Sequence, residues 1–282
     1  MNLSSLIRFN NFSFRYKGNE EYALNNINLD IKENSFILLA GETGSGKTSF
    51  IRCLNGLIPQ FYAGYYKGSI EVAGKDTIST PISDLSTLVG IVFQNPENQL
   101  VAMNVEQEIA FGMENLGLPR HEIEKKVKEV VKLTEIEHLL DRAPFELSGG
   151  EKQRVAIASV LVLNPKILIL DEPTANLDPY FAKKIIGMLK KIQMTKNISI
   201  IISEHRMDLL VPLVDAIILM ESGKLVAYDE KNVIINSEIF YNLNINKPKI
   251  YSIFQGLDKE TVKFNKVPIS VEDALNFIKH YK

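Results

Sequence analysis

Cysteine is almost missing from this chain of 282 residues, Cys53 being the only one. A single cysteine cannot close an internal disulfide, so burial must hold the fold, and a reducing compartment is the natural inference. Cys53 falls on the expected face of an early helix, where a small buried hydrophobe is the simplest reading. Long apolar runs are missing too; none approaches the ~18 residues needed to span a bilayer. Neither sign of charge dominates. With 32 Lys and Arg against 34 Asp and Glu, the formal net charge is −2, which supplies no field for nucleic acid or an anionic membrane. Met1–Arg8 lacks the basic segment and apolar stretch of a secretory signal. A cytosolic protein is expected, reaching a membrane only through partners. There is no internal repeat and no low-complexity linker. What remains is ordinary globular composition, 45% apolar and 23% charged, in one large domain or a core with appendages.

The stretch around which the chain is organised is Gly41-Glu42-Thr43-Gly44-Ser45-Gly46-Lys47-Thr48. It fits the phosphate-binding pattern of a Gly, four free positions, then Gly-Lys-Thr. Phe36–Ala40 before it is continuously apolar, as a buried parallel strand is, and Ser49–Leu54 after it has helical spacing. A strand feeding a Gly-rich turn that opens a helix aims several backbone N–H groups at one anion, with the helix dipole behind them. In such a loop Lys47 would reach the β/γ-phosphates and the Thr48 hydroxyl would ligate Mg²⁺. This predicts nucleotide binding without saying what the nucleotide is for.

The chain before and after that loop predicts an α/β fold. Leu6–Phe9 and Phe12–Tyr16 alternate as half-buried strands, with Asn10-Asn11 between them as a turn. Ile27–Ile31 and Ser69–Gly74 are candidates for the same antiparallel sheet, and Phe61, Tyr62, Tyr65 and Tyr66 fall in a Gly-containing loop. Gly90–Phe93 is a short strand ending at Gln94. From Asn95 to about Ala158 the character is helical, with Pro119 opening a helix whose charges form a solvated face. Ile167–Leu170, Ile198–Ile202 and Ala216–Met220 are apolar strands separated by helical stretches, implying a mainly parallel central sheet. Glu221–Lys224 is a hairpin turn. From about Asn232 a tail follows, in which Ser270–Asp273 has capping-box form before an amphipathic helix. Such a helix ordinarily docks on its own domain; a subunit interface is the sharper alternative.

Chemistry-bearing residues gather at strand ends. Asp171 and Glu172 close an apolar strand, where ligands collect in open α/β sheets. Asp171 can hold Mg²⁺ through water, and Glu172 is then placed to orient or deprotonate an attacking water. Gln94 ends another strand, where its amide could reach the metal or the water. Of four histidines, His205 alone follows a strand end; His121, His138 and His280 lie in polar stretches. Leu147-Ser148-Gly149-Gly150-Glu151-Lys152-Gln153-Arg154 is a second helix N-terminus. Ser148 and Glu151 have capping-box spacing, but a cap does not require two helix-weakening glycines, whereas a second anion site does.

Taken together, these motifs resemble the ATP-binding subunits of ABC transporters over roughly residues 6–230. The phosphate loop, Gln94, the Leu147–Arg154 signature, Asp171-Glu172 and His205 occur in that family's order. Leu177-Asp178 is similar to its D-loop, and Tyr16 to the aromatic that stacks on adenine, with Phe14 a close competitor. A narrower resemblance, carried by Gln94–Gln99, Ala110–Gly112, Asn115–Pro119 and Val267–Ala274, is to the ATPases of energy-coupling-factor importers, the cobalt and vitamin group. The resemblance implies an ATPase domain over 1–231 with a helical insert over about 95–160, and a C-terminal extension over 232–282. It also implies ATP and Mg²⁺, and a head-to-tail dimer in which Ser148, Gly149, Gly150 and Glu151 meet the ATP held by the partner's loop. The partners implied are a second ATPase subunit (identical or paralogous), a transmembrane coupling protein and a substrate-binding membrane protein, at the cytoplasmic face of the cell membrane, with no nucleic acid. A conventional ABC importer or exporter ATPase is the alternative. A soluble chromosome-type or ribosome-type ATPase fits less well, because no long coiled coil separates the loop from the signature and only one cassette is present. The signature argues against a generic phosphate-loop kinase or GTPase.

Overall fold

The computed structural model describes residues 5–257 and 267–280. The first four residues of the N-terminal stretch considered above, and the side chain of His280, lie outside the described residues. Ten strands form two sheets. They are β1 (Ser5–Tyr16), β2 (Leu24–Lys32), β3 (Phe36–Gly41), β4 (Gly64–Val72), β5 (Lys75–Asp76), β6 (Val89–Val92), β7 (Ile167–Asp171), β8 (Ser199–Ser203), β9 (Ala216–Glu221) and β10 (Lys224–Glu230). An antiparallel sheet has the order β2-β1-β4-β5. The central sheet has the order β10-β9-β3-β8-β7-β6, parallel throughout except for the β9–β10 hairpin.

The parallel strands read as unbroken apolar runs because both of their faces are covered. In β3, Phe36, Leu38 and Ala40 join a core shared with the helices, while Ile37 and Leu39 join a second core beneath the antiparallel sheet. β7 divides in the same way, Leu168 and Leu170 against Ile167 and Ile169. This two-residue alternation fixes which chain segments lie on each face. The Lys47–Leu54 helix packs in the second core through Phe50, Ile51, Cys53 and Leu54. Cys53 is fully buried, and burial raises its thiol pKa well above the usual value. Helices Val105–Asn115, Arg120–Thr134, Gly149–Leu161 and Pro179–Lys196 belong to the first. The architecture is thus an α/β phosphate-loop core with an antiparallel β subdomain, a helical insert and a small C-terminal extension.

Three local expectations are corrected. Asn10-Asn11 is no turn: β1 runs through it, and the pairing shifts between Phe9 and Phe12, with Asn11 at φ 45°. A bulge uses the same residues as a turn because both need the left-handed region that Asn tolerates. Tyr65 and Tyr66 lie on β4, paired with Arg15 and Phe14, rather than in a loop. Pro119 caps the Arg120–Thr134 helix instead of being its first residue, and that helix stops before Ile136, with Glu135 at φ 57°.

Candidate active site

The phosphate loop leaves the carboxyl end of β3, two strands away from Asp171 at the end of β7, with β8 between. Gly44 and Gly46 take φ values of 82° and 103°, which side chains rarely adopt. At Gly46 a Cβ would also stand 2.6 Å from the Ala23 carbonyl oxygen. The loop therefore closes only with glycine there. Among the described residues, the amides of Gly44, Gly46, Lys47 and Thr48 find no protein acceptor. The Ser45 hydroxyl is buried with no partner either. A cradle of unclaimed donors at a helix N-terminus suits a polyanion. Lys47 donates to the Gly41 and Glu42 carbonyls at 2.8 and 2.9 Å. Burial lowers its pKa, against the opposing pull of Glu172 and Asp171.

Thr48 and the two acids come together across the sheet. Thr48 Oγ1 donates to Asp171 Oδ2 at 3.1 Å, and Ser203 Oγ donates to Asp171 Oδ1 at 2.5 Å. Glu172 lies at φ 49°, in the left-handed region, where its amide donates to Ser203 O and Ser203 Oγ. A strained residue at a strand end is a recurrent feature of functional sites. Its carboxylate accepts from Gln94 Nε2 at 3.0 Å through one oxygen and faces His205 Nε2 at 3.0 Å through the other. Gln94, Asp171, Glu172, His205 and Thr48 thus form one chain of contacts. An oxygen set of this kind, hydroxyl, amide and carboxylate, suits a hard divalent cation.

Beside the loop, Tyr16 and Phe14 differ in surroundings. Phe14 is fully buried in the core, whereas Tyr16 is half-buried, its hydroxyl 3.0 Å from Ser49 Oγ. Arg52 donates to the Tyr16 hydroxyl at 3.4 Å and lies 4.3 Å from the Tyr62 ring centroid.

Ser148, Gly149, Gly150 and Glu151 stand apart. Ser148 caps the Gly149–Leu161 helix, and its amide and hydroxyl donate to Glu151 Oε2 at 2.8 and 2.7 Å. Those two bonds lower the Glu151 pKa. Ser148 and Gly149 are exposed, and among the described residues no hydrogen bond joins this segment to 41–48. Asp178 caps the Pro179–Lys196 helix, accepting from Tyr180 N and Phe181 N. Two linkages tie the stretch after Gln94 to these elements: Lys152 to Glu97 at 2.5 Å, and Asn176 to Asn95 at 3.2 Å.

Sequence reasoning passed over Ser203, which touches both acids, and Glu204. The only signal for Ser203 was its place at the end of a strand adjoining that of the loop.

A family model described as ABC transporter matches residues 24–175. A Pyrococcus horikoshii protein named as an ABC transporter ATP-binding protein is 41% identical over 256 residues, 90% of each chain. CbiO1 from Clostridium perfringens, described as part of the ABC transporter complex CbiONQ, matches with a TM-score of 0.75 at 35% identity, covering 84% of this chain and 92% of that one. The ATP-binding cassette MJ0796, in a dimeric post-hydrolysis state bound to ADP and phosphate, matches with a TM-score of 0.69 at 27% identity, covering 80% and 98%.

Proposed function

Because the chain belongs to the ABC transporter family of ATP-binding proteins and is an ATPase, we propose that it is the motor subunit of an energy-coupling-factor type importer for a vitamin or a transition-metal ion. The observation that carries the catalytic part is the convergence of Gln94 and His205 on the two oxygens of Glu172. The likeness to CbiO1, with the Gln94–Gln99 run and the C-terminal tail, supports the importer type.

In this reading the unclaimed amides of the loop and the Ser45 hydroxyl take the ATP phosphates. Lys47 moves from the Gly41 and Glu42 carbonyls to the β/γ-phosphates, and Tyr16 carries the adenine. Mg²⁺, when bound, supplies a hard positive charge between phosphate oxygens, and Thr48, Gln94 and Asp171 (the last through water) are the residues that would hold it. Glu172 orients a water and accepts its proton, Gln94 and His205 hold the Glu172 carboxylate in place, and His205 also contacts the γ-phosphate. Phosphoryl transfer asks for little more than such positioning and charge.

The site is completed by a second ATPase subunit, identical or paralogous, packed head to tail. Exposed Ser148 and Gly149, with Gly150 and Glu151, meet the nucleotide on the partner's loop, and the D-loop with Asp178 lies at the same junction. The family's cassettes work as dimers, and closure on ATP followed by release after hydrolysis is the power stroke. The ATPase domain is taken as 1–231, with the helical insert at about 95–160. The extension, 232–282, would serve pairing: Val271, Leu275 and Ile278 form an exposed apolar stripe on the Val271–His280 helix.

No helix among the described residues is long and apolar enough to cross a membrane. Contact with the bilayer at its cytoplasmic face is assigned to a transmembrane coupling protein, which works with a substrate-binding membrane protein. Val101, Met103 and Phe145, 70%, 83% and 82% exposed, flank a cleft beside the Gln94 segment that suits an apolar helix of that protein. The test is isolation of the tagged chain from detergent-solubilised membranes. A transmembrane protein without a nucleotide cassette, a small membrane protein and an ATPase subunit are expected. Recovery with a conventional pair of transporter subunits, or with no membrane protein, would overturn the importer assignment.

A further inference from the structure

Glu204 lies between the end of β8 and His205, and it is 4% exposed. A carboxylate that deep is tolerated only if its lone pairs are met by donors. One oxygen accepts from Thr174 N at 3.1 Å and from the Thr174 hydroxyl in a short contact. The other accepts from its own chain's next amides, His205 N at 2.7 Å and Arg206 N at 3.2 Å. Thr174 is itself fully buried, two residues beyond Glu172. A second clasp lies alongside: the Arg206 guanidinium donates to Leu177 O at 2.6 Å. The segment 172–177, which carries Glu172 and runs into Asp178, is therefore bound to the segment 203–206, which carries His205.

We propose that Glu204 is a positioning residue for ATP hydrolysis, fixing the His205 ring against Glu172 by tying the amides that flank His205 to Thr174. The geometry gives it little else to do. It makes no ion pair among the described residues and faces no solvent, yet four donors converge on it. Charge-assisted hydrogen bonds of this kind hold two loops in register more tightly than neutral ones. The clasp also joins His205 to the chain leading to Asp178, so that a shift of the Leu177-Asp178 segment is felt at His205.

This inference rests on the roles given above to Glu172 and His205. Its test is steady-state ATP hydrolysis by the full chain, with whatever ATPase subunit and membrane proteins co-purify with it. The variants are Thr174→Val, Thr174→Ser, Glu204→Gln and, as a control, Glu172→Gln. Thr174→Val keeps shape and removes the hydroxyl; Glu204→Gln places an NH₂ where two donors already point. Misplacement of a reacting group by a fraction of an ångström to 1 Å can lower rate by up to about 100-fold. Thr174→Val and Glu204→Gln should therefore lower kcat by about 10- to 100-fold with KM for ATP little changed, and Thr174→Ser should restore kcat. A structural role alone would move melting temperature and active fraction, and would not be rescued in kcat per folded active site by the hydroxyl. Unchanged kcat in both Thr174→Val and Glu204→Gln overturns the proposal, as does a rise in KM at constant kcat. If Glu172→Gln also hydrolyses ATP normally, the underlying site assignment has failed instead.

Discussion

Replacing Glu172 by Gln changes one atom's chemistry and little of the shape. The carboxylate accepts from Gln94 and faces His205, and it makes no hydrogen bond to residues 41–48 among the described residues. The phosphate cradle and the Thr48–Asp171 contact should therefore survive, and ATP should still bind. What is lost is the proton acceptor. A positioned general base contributes ~10²–10⁴-fold, or about 2.7–5.4 kcal/mol at 1.36 kcal/mol per tenfold. Losing only the Gln94 hydrogen bond to a charged group would remove about 1.5–3 kcal/mol, or about 10- to 150-fold. Glu172→Gln should thus reduce kcat by more than 100-fold and by more than Gln94→Ala in the same assay. Phosphate release gives the rate, and equilibrium binding of a fluorescent ATP analogue gives the affinity. A Glu172→Gln chain that turns over near the native rate, or no more slowly than Gln94→Ala, would refute the assignment of Glu172 as base.

Gly46→Ala should combine a φ of 103° with a Cβ 2.6 Å from Ala23 O, destabilising the chain by about 1–3 kcal/mol in urea unfolding and weakening ATP binding. Glu108 is 4% exposed and accepts from Val101 N and Ala102 N at 2.7 Å each. Glu108→Ala should cost about 1.5–3 kcal/mol for each of these bonds and loosen the exposed Val101–Met103 tip, so that less membrane partner is recovered while ATP affinity holds. Truncation after Leu257 should weaken subunit pairing more than nucleotide affinity; an unchanged dimer population in sedimentation would remove the extension from the interface.

The parts legible in the sequence were those whose physics is local. Gly44, Gly46 and Lys47 sit at fixed spacing because a phosphate cradle needs left-handed backbone and a charge at set intervals. β3, β7 and β8 were visible because strands covered on both faces are apolar at every position. Asn10-Asn11 misled because a bulge and a turn recruit the same residue types, and only the pairing of β1 with both β2 and β4 distinguishes them. That pairing also separates Phe14, buried under the sheet, from Tyr16 at the strand's end. Glu204 was illegible for a different reason. Its partner Thr174 is 30 residues away, and an acid beside a histidine looks like any polar strand end until β7 and β8 are laid side by side. Ser203 was hidden likewise.

The composite site is tested most directly by sedimentation velocity of the Glu172→Gln chain, alone and with whichever ATPase subunit co-purifies with it. Closed dimers should accumulate on addition of ATP and Mg²⁺ and disperse when the nucleotide is removed. Adding Ser148→Arg, on the exposed cap of the Gly149–Leu161 helix, should abolish those dimers while each chain still binds ATP on its own loop. Dimers that persist with Ser148→Arg, or ATP binding that fails in the separate chain, would contradict the account.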